Sequence, residues 1–472
     1  MKQAGKIVIL GAGPTGLGAF HRLQELGYRD VELFEKEGHA GGLASSFVDE
    51  QGFTWDIGGH VQFSHYTYFD QLMEQILGDQ WIEHERESWI RCRERFIPYP
   101  FQYNVRHLPR EEMLRCLRGV LHLAKNPPRK APKNFREWIL AQFGQGIAEI
   151  FMFPYNKKTW AYPPEDLDCS WMGERVASID LERFVMNIVE EQDDISWGPN
   201  KTFRFPLSGG TGEIWRRLSK TLPQERLHFE HKLRYVDSKE KVLYFANGQQ
   251  EHYDTLVSSI PLDLLVKNSD MPEKTKKAAK ELVHSKVHIA GLGLAGKPKD
   301  ELKKKCWMYF PENNCPFFRA TVFSNYSPNN VPSIEQHWSL MLEVSESPKK
   351  PLDSQHFQDS ILRGALAAKL IDSKEELIDF WYYRAEHGYP TPFLCRDKVL
   401  DSLLPALQER SIYSRGRFGA WRYEVSNQDH SLMQGVEVAD EIVLGTPEET
   451  LFNADFVNSR KKDSQRSERP AP

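Results

Sequence analysis

The stretch KIVILGAGPTGLGAFHRLQELGYRDVELFEKEGHAGGLASSF, near the start of a 472-residue chain, leaves few folds open. Residues 6–10 form an apolar run of strand length, Gly11, Gly13 and Gly16 follow at G-x-G-x-x-G spacing, and residues 17–26 read as a helix. Glycines in that order, with Pro14 and Thr15 between them, permit a tight turn. They bring backbone N–H groups against a pyrophosphate at a helix N-terminus, where the helix dipole favours negative charge. A second strand over residues 31–34 delivers Glu35, about twenty positions beyond the last glycine, where a carboxylate accepts ribose hydroxyls. Three glycines alone are a weak signal, since glycine-rich turns are common. With strand, helix and acid in register, a dinucleotide-binding βαβ unit is the better reading.

The chain is long enough for about two or three domains. Its 40% hydrophobic and 27% charged residues are those of an ordinary globular protein. A net charge of −5 argues against general nucleic-acid binding, so any anion site is local. No apolar run approaches the roughly eighteen residues of a membrane span, and the first strand follows Met1 with no room for a signal peptide. The expectation is a cytoplasmic protein that does not engage membranes. Cys92, Cys116, Cys169, Cys306, Cys315 and Cys395 show no C-x-x-C pairing and read as thiols rather than disulfides or zinc ligands.

Along the chain, residues 108–125 and 134–151 carry apolar residues at helical spacing, separated by the breaker PPRKAP, and a further helix is expected from 169 through the region of 185. FPLSGGTG then reads as a strand-end turn feeding a helix over 213–218. Strand-like runs follow at 227–236, 241–246, 253–260, 287–294, 307–310, 319–324 and 337–344, suggesting a mainly antiparallel sheet. A second G-x-G-x-x-G, Gly291 to Gly296, precedes Pro298 and a lysine-rich stretch without helical periodicity, so small residues in a sheet strand are the better reading there. The fold class expected is α/β: a Rossmann-like dinucleotide-binding domain from 1–90, 205–265 and 405–458, an inserted helical domain at 104–204, and an antiparallel β-sheet domain from 91–103 and 266–404. Residues 459–472 are polar, end in prolines and read as a disordered tail.

A second glycine-rich block follows the first fold unit: Gly41, Gly42, Leu43, Ala44 and Ser45, then Gly58, Gly59 and His60. Glycine pairs there let the backbone approach a flat ligand, which suits a flavin better than a nicotinamide. On glycines alone, two ordinary loops are an even match. The segments GGHVQFSHYTYFD, PYPFQYN, FPYNKKTWA, SWMGERVAS, WGPNKTFRFP, GGTGEIW, CPFFRATVFSNYSP, HGYPTP and GRFGAWRYEVSNQDHS run in order from residue 58 to 431. With them the chain resembles the UDP-galactopyranose mutase family, in its eukaryotic-type branch, over nearly its whole length.

That resemblance implies an isomerase that interconverts UDP-galactopyranose and UDP-galactofuranose, with reduced FAD N5 as nucleophile at the sugar anomeric carbon and no net redox. It places Arg175, Arg319, Tyr389 and Tyr423 on the pyrophosphate and Arg417 beside sugar and flavin, roles that suit guanidinium forks and phenol hydroxyls. It puts Tyr99, Phe101, Gln102, Asn156 and Trp160 on the uridine side, with Tyr309 a further contact, since aromatic faces stack a base and amides reach its polar edge. Asn200 falls in a loop resembling the family's mobile lid. His60 lies against the flavin and tunes N5, and Asn427, Gln428 and Asp429 meet the flavin, Asp429 on the ribityl chain. Gln62 departs from the apolar residue expected at its position. Taken singly, each arginine is more often an ion pair, each aromatic core filling and His60 a structural histidine; together they reverse that weighting.

The resemblance also implies NADPH as the reductant, bound transiently in the substrate pocket because no second nucleotide fold is visible. No metal and no nucleic acid is expected, and a homo-oligomer stays open. The alternatives are an amine-oxidase-type FAD oxidoreductase, a mutase of another nucleotide sugar and, last, a flavin-binding scaffold. The pyrophosphate cluster separates mutase from oxidase, because an amine substrate has no pyrophosphate to hold.

Overall fold

The protein is described here by a computed structural model that covers residues 5–172, 176, 178–195 and 202–459. Strand Ile7–Leu10 lies at the centre of a five-stranded, all-parallel sheet, flanked by Val31–Phe34 and Leu227–His228 on one side and Thr255–Ser258 and Ile412–Ser414 on the other. An unbroken apolar run fits that place, because a central parallel strand is covered on both faces. Ile7 and Ile9 face a layer built on helices Pro14–Glu25 and Gln428–Leu444, while Val8 and Leu10 face helices Leu262–Lys267 and Arg396–Gln408.

The expected strand over 227–236 divides between two sheets. Leu227–His228 joins the parallel sheet, whereas Leu233–Asp237 begins an antiparallel meander with Val242–Phe245 and Gln250–His252. Between them the backbone turns at Glu230 (φ 61°) to bond across Glu35 and Glu37, which side-chain alternation cannot reveal.

The second sheet has seven strands, in the order Leu377–Pro390, His284–Ala295, His337–Glu346, Arg319–Val322, Trp307–Tyr309, Ser88–Cys92 and Arg95–Pro98. All neighbours are antiparallel except Trp307–Tyr309 with Ser88–Cys92. The longest strand, Leu377–Pro390, had no clear sequence signal: four aromatic residues run together at 380–383 and charged ones follow, so no two-residue alternation marks this partly exposed edge. Gly291 and Gly293 lie in the interior of His284–Ala295, where a Cβ would stand 2.6 Å from the rings of Trp55 and Phe53 respectively. The second glycine motif is therefore sheet packing.

The helical layer differs from expectation in two places. Helix Phe135–Ile147 breaks at Gly144 (φ 68°, ψ 173°), followed by a π turn and helix Phe153–Trp160. Gly144 opens because it meets the backbone of helix Arg110–Lys125, where a Cβ would stand 2.5 Å from the Gly119 carbonyl oxygen. The helix expected from 169 starts only at Leu181 and runs to Val189, where the Asp180 side chain accepts a hydrogen bond from the Arg183 amide at 2.8 Å. That is an N-cap, and it sets the start of the helix. At the C-terminus, Ser459 ends helix Ala454–Ser459, and residues 460–472 lie outside the described residues.

Candidate functional site

A cavity of about 1190 Å³ runs from the glycine turn of the parallel sheet to the seven-stranded sheet. At its first end the turn residues Gly11, Gly13, Pro14 and Thr15 line the wall. Gly11 has φ 99°, and a Cβ on Gly16 would stand 1.9 Å from the Gly11 carbonyl, so Gly16 serves the packing of helix on turn and does not line the cavity. The helix begins at Gly13 with no side-chain cap and Pro14 carries no N–H. First-turn amides are thus left for an anion. A Cβ on Gly42 would come 3.2 Å from the Gly13 Cα, so two glycine backbones form one narrow cradle.

A second helix N-terminus reaches the same cavity. Helix Gln428–Leu444 crosses Pro14–Glu25 at contact distance because glycines meet there: a Cβ on Gly435 would stand 2.0 Å from the Thr15 carbonyl and one on Gly18 2.6 Å from that of Leu432. Asn427, Gln428 and Asp429 line the wall at this start, which also lacks a side-chain cap. Glu35 closes the far end and accepts from the Ala12 amide at 2.7 Å and the Glu37 amide at 2.9 Å, each through one carboxylate oxygen with a lone pair to spare. Paired glycines, two uncapped helix starts and a ribose-side carboxylate fit a bound dinucleotide. Leu43, Ala44, Gly58, Gly59 and His60 line the cavity beyond the cradle, whereas Ser45 is buried with its hydroxyl towards the Ala40 carbonyl at 3.4 Å.

The His60 loop is held from the second sheet. Glu343, 2% exposed, accepts from the Gly59 amide at 3.0 Å, and a Cβ on Gly59 would stand 2.9 Å from the Thr321 hydroxyl. His60 Nδ1 is buried without a hydrogen-bond partner. Burial pushes this imidazole down to about 4; Arg319 and Arg417 add to the effect and Glu343 opposes it. His60 is neutral at pH 7. Asp429 takes the His65 ring at 2.8 Å and the His65 amide at 3.1 Å, which commits part of its carboxylate to the protein. Burial would raise its pKa, but His430 and His65 hold it well below the usual carboxylate range. Gln62 buries its amide nitrogen without a partner and pairs its backbone with Arg204.

At the other end, Arg319 and Glu343 are register partners on adjacent strands and form a bidentate pair, Nε to Oε1 at 2.6 Å and Nη2 to Oε2 at 2.7 Å. Burial would lower the pKa of Arg319, yet Glu343 holds it well above the ordinary value. The Nη1 edge remains for a ligand. Arg417 donates from Nη1 to the Ser426 hydroxyl at 2.9 Å and from Nη2 to the Gly388 carbonyl at 3.0 Å. Its guanidinium lies 5.2 Å from the Tyr389 ring centre and 5.7 Å from that of Tyr423. Tyr99 and Tyr309 sit 5.7 Å apart on the wall. Burial pushes the phenols of Tyr99, Tyr309 and Tyr389 up, so each keeps a hydroxyl able to donate.

The structure thus brings His60, Arg319, Arg417, Tyr99, Tyr309, Tyr389, Tyr423 and Asn427 to one cavity. Phe101, Gln102, Asn156 and Trp160 do not line it. Phe101 stacks on Phe151 at 4.7 Å, Gln102 is buried, and the Asn156 amide donates to the Met152 carbonyl at 2.8 Å. Trp160, 2% exposed, packs edge-on to Tyr423 at 4.8 Å, Trp171 at 5.0 Å and Tyr389 at 5.7 Å. Arg175 and Asn200 lie outside the described residues.

Sequence reasoning passed over Glu343, although a glutamate flanked by Leu342 and Val344 inside the strand HWSLMLEVSE is a signal for a paired buried charge. It also passed over Arg86, which stands 5.0 Å over the Tyr99 ring, and over Lys36, His39, His231 and Lys232, which line the cavity together with Glu35. Nothing in the spacing of those polar residues marks them.

Comparison with known proteins bears on this geometry. The profile of the flavin containing amine oxidoreductase family matches residues 14–332. A crystal structure of reduced UDP-galactopyranose mutase superposes with a TM-score of 0.94 at 48% identity, covering 97% of this chain and 98% of that one. A putrescine oxidase bound to putrescine superposes with a TM-score of 0.61 at 15% identity, over 93% of this chain and 99% of that one, which is a likeness of fold alone. A zeta-carotene desaturase of Zea mays is 36% identical over 74 residues, which is 16% of this chain and only 13% of that relative's length.

Proposed function

The chain belongs to the flavin containing amine oxidoreductases and, within them, to the UDP-galactopyranose mutases, and from that premise we propose how its residues interconvert UDP-galactopyranose and UDP-galactofuranose. Reduced FAD, when bound, supplies N5 as the nucleophile at the anomeric carbon, with no net oxidation. The glycine cradle, the two helix starts and Glu35 hold the dinucleotide along the parallel sheet. Arg319, Arg417, Tyr389 and Tyr423 hold the pyrophosphate through departure and return of UDP, by charge-assisted and phenol hydrogen bonds. Tyr99 and Tyr309 receive the base. His60, neutral and unpartnered at Nδ1, faces the reacting end without adding a positive charge there. Glu343 keeps the Arg319 fork in one orientation.

The observation that carries this reading is the meeting of Arg319, Arg417, Tyr389 and Tyr423 in the cavity that also holds the dinucleotide cradle. A putrescine-type amine offers such a cluster nothing to bind. NADPH as reductant and a cytoplasmic location belong to the same proposal. No helix among the described residues is long and apolar enough to cross a membrane. The test is product analysis of UDP-galactofuranose incubated with dithionite-reduced protein. Many turnovers per reducing equivalent, lost in Arg319→Ala with flavin retained, are expected; stoichiometric consumption of an electron acceptor overturns the reading.

A further inference from the structure

We infer that Asp263, His284 and His387 form a site for a divalent transition ion of the zinc class, which clips the parallel sheet to the seven-stranded sheet beside the cavity. The three residues come from three elements. Asp263 lies in the first turn of helix Leu262–Lys267, directly after strand Thr255–Ser258 of the parallel sheet. His284 opens strand His284–Ala295, and His387 lies near the end of Leu377–Pro390, its antiparallel neighbour in the larger sheet. One ligand atom from each lies within 4.8 Å of the other two.

The distances suit coordination. His387 Nε2 stands 3.1 Å from both carboxylate oxygens of Asp263. Donors about 3 Å apart are the edge of a coordination polyhedron with bonds near 2.0–2.1 Å, so this pair already has the spacing an ion requires. The rings of His284 and His387 stack at 4.1 Å and 16°, and the His284 ligand atom lies within 4.8 Å of the other two, so it would have to move inwards to complete the set. Two imidazoles and one carboxylate select zinc, cobalt or nickel over magnesium or calcium. All three residues are half-buried and His387 lines the cavity wall, which leaves an approach and room for a water ligand.

A structural Asp–His hydrogen bond explains Asp263 and His387 but leaves His284 unused. Its ring nitrogens make no hydrogen bond to described residues; only its carbonyl accepts, from the Tyr162 hydroxyl at 3.3 Å. The nearby Lys286 is held between Glu346 and Glu386 at 3.6 Å each and does not take the Asp263 carboxylate. An ion here would fix the strand end whose Gly388 carbonyl holds Arg417 and which carries Tyr389.

The experiment titrates flavin-loaded protein, stripped with a chelator, with zinc alone by calorimetry and thermal unfolding. Saturable binding of one equivalent and a chelator-reversible rise in unfolding temperature are expected. His284→Gln and Asp263→Asn should keep the flavin and weaken zinc binding at least about tenfold. Absence of one-equivalent binding, or unchanged binding in the folded variants, overturns the site. Should a variant fail to fold, anomalous scattering from crystals of zinc-loaded wild type decides: an ion between Asp263, His284 and His387 supports the site, and an ion elsewhere, as between His65, Asp429 and His430, or none, overturns it.

Discussion

His60 stays neutral because burial, with Arg319 and Arg417 nearby, pushes its imidazole from 6.5 down to about 4. Between those values the unfolded chain binds more protons than the folded one at this residue. Its contribution to stability is therefore fully present above about pH 6.5 and is lost as pH falls towards 4. Asp56, raised by burial to about 7, acts in the opposite direction and weakens the fold as pH rises towards neutrality. A comparison of wild type with His60→Asn removes that shared contribution. The variant's thermal midpoint should fall less steeply between pH 6.5 and 4; parallel slopes would mean that His60 titrates like a free imidazole. The residue itself was legible through the family resemblance that GGHV helps to carry, since paired glycines alone fit two ordinary loops equally well. Its protonation state was not, because Arg319 and Arg417 come from segments far away in the chain.

Among elements, the crossing of helices Pro14–Glu25 and Gln428–Leu444 sets the shape of the dinucleotide end. Gly435→Ala places a methyl group 2.0 Å from a backbone carbonyl, which no rotamer relieves. Overpacking of that kind costs about 1–3 kcal/mol or more and would spread the two helix starts. The expected outcome is low flavin content with a lowered unfolding temperature. Gly248→Ala, in a turn with no neighbour within 4 Å, should lose only the roughly 1–2 kcal/mol of its left-handed backbone and keep its flavin. Equal flavin loss in both variants would remove the crossing as the cause. The first helix could be read from its glycine spacing and the start of the last one came with the resemblance, but their crossing could not be read, because Gly435 meets Thr15 and Ala19 from the other end of the sequence.

The aromatic residues expected on the uridine side show the same limit of sequence reading. An aromatic near a cleft stacks a base or fills a core, and composition is the same in both cases. Tyr99 lines the cavity, whereas Trp160 is packed among Trp171, Tyr389 and Tyr423. Tyr99→Ala should weaken UDP binding at nearly normal stability. Trp160→Ala should destabilise the protein by about 3–5 kcal/mol, the cost of a large cavity, and disturb UDP binding only through Tyr389 and Tyr423. Calorimetric unfolding with a UDP titration separates the two; a stable Trp160→Ala protein that fails to bind UDP would place this indole on the base instead.

For the molecule as a whole, function depends on holding the His60 loop, which follows strand Thr54–Asp56, against the seven-stranded sheet, and Glu343 makes that link. Its carboxylate holds Gly59 of the loop that leads to His60 and the Arg319 fork in the seven-stranded sheet. Glu343→Gln keeps the shape but removes the charge, which frees Arg319 for an incoming pyrophosphate and weakens the hold on the loop. Breaking a buried pair costs about 3–5 kcal/mol when the remaining charge finds no partner. UDP supplies one here. The free variant should therefore unfold at a lower temperature, and saturating UDP should restore more stability to it than to wild type. UDP affinity should hold or rise while turnover falls, since the reacting end is no longer fixed. Loss of UDP affinity with turnover intact would show that Glu343 serves the phosphate site alone and does not fix the His60 loop.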